Sequence, residues 1–67
     1  MTITILRRAP GQAIPRPFNR ASSVSEMREL IVRGEFAQRT INADNLNTDK
    51  PVLTQANGVE FFAFEER

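Results

Sequence analysis

The sequence predicts an α+β domain in which a small mixed sheet of four to five strands carries one helix on one of its faces. Three observations predict it. The chain closes on a dense aromatic run, Val59-Glu60-Phe61-Phe62-Ala63-Phe64-Glu65-Glu66-Arg67, that holds three of its five Phe residues. It starts with an alternating β-branched run, Thr2-Ile3-Thr4-Ile5-Leu6. Between them lies one amphipathic stretch with a helix-start signature, Ser23-Val24-Ser25-Glu26.

In the first run, period-two alternation turns Ile3 and Ile5 inward and the threonines outward. The run ends in Arg7-Arg8, and Pro10-Gly11 then supplies the fixed φ and the positive φ of the two central positions of a type II turn. The chain is expected to reverse there into a second strand over residues 12 to 18. Pro15 and Pro17 remove donors from one side of that strand, which a sheet tolerates at an edge, and a polyproline-like loop over residues 12 to 20 is the alternative.

Ser23 and Glu26 have the spacing of a capping box, Ser23 accepting from the Glu26 amide and Glu26 reaching back to the Ser23 amide. Val24, Met27, Leu30 and Ile31 then share one helical face, a stripe that reads as core, and Gly34 suits the left-handed position that stops a helix. About ten residues of helix follow from that spacing. Residues 37 to 43 read as a strand of weak alternation, and residues 44 to 51 as a turn-rich crossing. Residues 52 to 56 suit either a strand joined to the last one through Asn57-Gly58, a strong hairpin signal, or a tight helical turn. In the final strand Val59, Phe61 and Ala63 fall on one face and Glu60, Phe62 and Phe64 on the other. A strand apolar on both faces is expected in the middle of a sheet, or with its second face against a partner.

Sixty-seven residues allow one domain, 1–67, without material for a second core. There is no repeat, low-complexity tract or linker. The absence of cysteine excludes a disulfide framework, and the absence of histidine removes the commonest general base and metal ligand. No apolar run approaches a membrane span, and the first charges follow the apolar stretch, the reverse of a signal peptide, so a cytoplasmic, unprocessed chain is expected. The net charge of +1 gives little unspecific attraction to nucleic acid or anionic lipid. Eight of the nine basic residues are Arg, suited to forked contacts with carboxylates or phosphates, although a GC-rich genome is the readier explanation of the bias.

The order of these elements resembles that of ubiquitin-like β-grasp proteins. Ser23-Val24, Met27, Leu30-Ile31 and Gly34 resemble the helix of that group. Thr40-Ile41-Asn42-Ala43-Asp44-Asn45-Leu46, Lys50-Pro51-Val52-Leu53 and Asn57-Gly58-Val59-Glu60-Phe61-Phe62 resemble the second half of the bacterial sulfur carriers of thiamine and molybdopterin synthesis. The resemblance implies a β-grasp fold with the helix on one sheet face and the other face open. It also implies a Gly-Gly tail for carrier chemistry, whereas this chain reads Glu65-Glu66-Arg67, so the family's activity is not carried over.

Function is then expected on the open face. Phe62 and Phe64 would form an exposed apolar patch rimmed by Arg7, Arg8 and Glu60, marking a protein-binding surface. A one-residue shift in register would instead place one of the rings in the core. The leading expectation is a non-catalytic module that binds a larger protein, of the kind a phage or plasmid encodes as an inhibitor or adaptor of a host complex. A sulfur or conjugation carrier and a small nucleic-acid-binding protein are the alternatives. No nucleophile has a base partner, so no catalytic residue and no cofactor are expected. The loop Asp44-Asn45-Leu46-Asn47-Thr48-Asp49 lacks the spacing of a calcium loop and reads as turn. A homodimer through the edge at residues 37 to 43 or through the Phe face is left open.

Overall fold

The computed structural model describes residues 2–33 and 39–66. Strands β1 (Thr2–Arg8) and β2 (Arg16–Ala21) precede helix α1 (Val24–Ile31), and strands β3 (Leu53–Thr54) and β4 (Glu60–Glu66) close the chain. The four strands form one sheet in the order β2-β1-β4-β3. Both ends of the chain therefore supply the central strands, as the apolar pattern of the last one predicts. All three pairings are antiparallel, so the sheet is not mixed as expected. Side-chain alternation has the same period whichever way a strand runs, so the pattern that marked β4 as central carried no information on its direction.

The Pro10-Gly11 turn forms as predicted. The Gln12 amide donates to the Ala9 carbonyl at 3.0 Å, and Gly11 takes φ +86°. β2 begins later than expected, at Arg16, and lies at the sheet edge. Ile5 opposes Asn19 while Leu6 opposes Pro17, so Phe18 is the extra residue of a β-bulge. The Arg20 amide donates to the Asn19 side-chain oxygen at 2.8 Å, so it offers no donor to a further strand. Pro17, the bulge and this cap together protect the edge from pairing with another chain.

Ser23 caps α1 as its spacing predicts, its hydroxyl accepting from the Glu26 amide at 3.1 Å. Glu26 departs from the expected capping box, accepting instead from the Ser22 hydroxyl at 2.7 Å. The helix spans eight residues and passes into extended backbone at Val32. Gly34, expected to end it, lies outside the described residues. Met27 and Ile31 are buried, and Val24 and Leu30 pack against the same core, so the apolar stripe is core as read.

Of the strand expected over residues 37 to 43, Ala37 and Gln38 lie outside the described residues, and the remainder is not strand. Arg39 and Thr40 form a turn, and Ala43–Asn45 is a single 3-10 turn. The Asn42 side chain accepts from the Asp44 amide at 3.1 Å, a local bond that draws the backbone away from a ladder. Asn42 keeps one sheet-like contact, its amide donating to the Val52 carbonyl at 2.7 Å.

The hairpin reading of residues 52 to 60 holds, with Leu53 opposite Phe61 and Thr54 opposite Glu60. The connection is longer than an Asn-Gly pair. The Gly58 amide closes a turn onto the Gln55 carbonyl at 2.9 Å, and the Gln55 amide donates to Val59 at 2.8 Å. Gly58 takes φ +89° while Asn57 does not enter the left-handed region, which is the geometry of a three-residue loop with a glycine bulge. Beyond the short β3, Asn47 covers the edge of β4. Its amide donates to the Ala63 carbonyl at 2.9 Å and its side-chain oxygen accepts from the Glu65 amide at 2.6 Å.

The core lies between α1, the 41–53 segment and one sheet face. Ile3 and Ile5 from β1 meet Phe61 and Ala63 from β4, with Val59 and Ile41 also buried there. Each buried side chain of this size contributes about 1.5–3 kcal/mol through removal of apolar surface from water.

Candidate functional site

The alternation expected for β4 holds: Val59, Phe61 and Ala63 join the core beneath the helix, and Phe62 does not belong to that cluster. Register puts Leu6 opposite Phe62, Thr4 opposite Phe64 and Arg8 opposite Glu60. These residues share the sheet face turned away from the core. Of the five residues expected to form a surface, Arg8, Glu60, Phe62 and Phe64 are thus brought together.

Their exposure corrects the expected patch. Phe62 is only 5% exposed, and Phe64 is half-buried. The Arg8 guanidinium lies over the Phe62 ring, 5.4 Å from its centroid, and pairs with the Glu60 carboxylate, Nε donating to Oε1 at 2.9 Å. A cation held over a ring face and fixed by a neighbouring carboxylate covers that ring. At the other end of this face Arg20 approaches Glu66 at 3.7 Å, and the Thr4 hydroxyl donates to the same carboxylate. The charges here neutralise one another within the chain.

Arg7 is not part of that rim. Successive strand residues point to opposite faces, so Arg7 follows Ile3 and Ile5 to the helix side, opposite Phe61 on β4 and Arg16 on β2. It is exposed there, and so is Arg16. Neither forms an ion pair among the described residues. Two like charges directly opposite on neighbouring strands destabilise the pairing.

Two large hydrophobic residues are exposed, Phe18 at 44%, in the bulge two residues after Arg16, and Ile14 at 74%. The bulge turns Phe18 onto Phe61, edge to face with ring centroids 5.3 Å apart. Ile14 stands in the loop two residues before Arg16. Next to the bulge is a shallow depression of about 380 Å³ lined by Thr4, Pro17, Phe18, Asn19 and Arg20. Neither Ile14 nor Phe18 was singled out from sequence. The signal that bears on them is the pair of prolines, which marks an edge where apolar side chains lack a second layer.

A larger groove of about 760 Å³ runs along Pro51–Asn57 and is lined by no ionisable side chain. No polar side chain is buried among the described residues, and no group of three potential metal ligands is found among them. No helix among the described residues is long and apolar enough to cross a membrane. Neither a protein-family model, a curated protein nor a solved structure matches this chain.

Proposed function

We propose that this chain is a non-catalytic protein-binding module whose docking surface is the β1–β2 end of the sheet, formed by Ile14, Phe18, Arg7 and Arg16. The observation that carries the reading is the exposure of Phe18 and Ile14, each within two residues of Arg16, together with two Arg side chains that have no carboxylate partner among the described residues. Aromatic and Arg side chains are the residues that dominate binding energy in protein interfaces. The expected face around Phe62, Phe64, Arg8 and Glu60 fits this role less well, because Phe62 is covered and both Arg8 and Glu60 are already paired.

A β-grasp likeness adds nothing to this reading beyond the α+β architecture. Nucleic-acid binding needs a basic track, and Arg8 is bonded to Glu60 while Arg20 lies near Glu66.

The test is capture from a bacterial lysate on the immobilised chain, compared with Ile14→Ser/Phe18→Ser and with Phe64→Ser. Partners are expected to be lost with the first variant and kept with the second. Equal recovery by the parent and the Ile14/Phe18 variant overturns the assignment of the surface.

A further inference from the structure

Resting on that docking surface, we infer that its partner is a protein segment carrying a carboxylate beside an apolar side chain. The register places Arg7 and Arg16 directly opposite each other, which sets their Cβ atoms about 4.5–5.5 Å apart. Guanidinium groups carried on facing positions of neighbouring strands repel each other in the free chain. A carboxylate set between them removes the repulsion and accepts forked hydrogen bonds from both.

The chain's other paired arginines show the contrast. On the opposite face Arg8 is bonded to Glu60 and Arg20 lies near Glu66, so the anions needed there are supplied internally. At Arg7 the flanking residue of β4 is Phe61, which offers an apolar ring edge and no charge. Among the described residues no anion stands at Arg7 and Arg16, and exposed apolar side chains are offered by Phe18 at the adjoining bulge and by Ile14 two residues before Arg16.

A phosphate would also match two guanidinium forks. A nucleic-acid strand, however, is held by a series of phosphate contacts, and the next basic residues along the sheet are occupied. Its sugar-phosphate surface would also leave Ile14 and Phe18 without apolar partners. A second copy of this chain through strand addition is disfavoured by Pro17, the bulge and the capped Arg20 amide. An acidic, apolar peptide segment satisfies both halves of the surface.

The experiment selects short random peptides on the immobilised full chain and measures the enriched ones by fluorescence anisotropy, with single-stranded DNA as a second probe. Enrichment of Asp or Glu next to Leu or Phe is expected. Changing those acids to amides, or Arg7→Gln/Arg16→Gln in the protein, is expected to weaken binding at least about tenfold, the scale of one charge-assisted hydrogen bond. Circular dichroism confirms that the variant, altered only at exposed positions, keeps its fold.

Enrichment of neutral or basic peptides, no enrichment over bare support, or tighter binding of DNA than of any peptide overturns the acidic partner. If Arg7→Gln/Arg16→Gln binds as the parent does while Ile14→Ser/Phe18→Ser loses its partners, the docking surface stands and the carboxylate does not. If the Ile14/Phe18 variant also binds unchanged, both are overturned.

Discussion

Replacing Phe62 with alanine tests whether the sheet face away from the helix is structure or interface. The ring is 5% exposed although helix α1 packs on the other side of the sheet. Truncating a buried Phe costs about 3–5 kcal/mol, and loss of the Arg8 guanidinium contact adds about 0.5–1 kcal/mol. A domain of 67 residues is expected to be stable by roughly 3–10 kcal/mol, from 0.05–0.15 kcal/mol per residue. Phe62→Ala should therefore remove a third or more of the folding free energy and leave a weakly folded chain. Phe64→Ala, at a half-buried position on the same face, should cost about half as much. Urea unfolding followed by far-UV circular dichroism reads both, with Phe62→Leu as the volume-conserving control expected to lose about 1 kcal/mol. A Phe62→Ala loss below about 1 kcal/mol, or one no larger than for Phe64→Ala, would refute the reasoning. The ring would then belong to the surface, and the face first read as an interface would regain its claim.

Gly58→Ala should cost about 1–2 kcal/mol, since φ is +89° and the new Cβ would sit 3.2 Å from Pro10 Cγ. Adding Pro10→Ala should recover part of that loss in thermal melts, and strict additivity would show that the two turns do not touch. Arg16→Glu should raise stability by about 0.5 kcal/mol at low salt, because a like-charge pair with Arg7 becomes an attractive one. The gain should vanish near 1 M salt, where the screening length is about 3 Å, and a melting temperature unchanged at low salt would contradict the register-based repulsion.

The parts of the fold legible in the sequence are those decided by neighbours in the chain. Ser23 caps its helix through an amide three residues on, Gly11 is required by its own φ, and the prolines at 15 and 17 announce an edge by the donors they lack. Alternation alone sorted Phe61 from Phe62 correctly. It did not show that Phe62 would be covered, because the cover is Arg8, distant in sequence and placed by the β1–β4 register.

The candidate surface was hidden for a related reason. Without the bulge at Phe18, the register of Ile3 with Ala21 and Ile5 with Asn19 would continue to set Arg7 against Pro17. One extra residue in β2 sets it against Arg16 instead and frees Phe18 to reach Phe61. A bulge leaves no reliable mark in residue type, so the Arg pair exists only once the strands are aligned. The weak alternation over 37 to 43 misled for want of strength, since the Asn42 side chain was enough to divert its described part.

The two middle strands of the sheet are the first and last segments of the chain, with Thr2 joined to Glu66. During synthesis the ribosome releases Ile3 and Ile5 first, and nothing can complete the layer over them until β4 has left the exit tunnel. Before then only the β1–β2 hairpin and the helix can form; the decisive contacts wait for β4. Such long-range closure makes folding slow relative to domains built from local contacts.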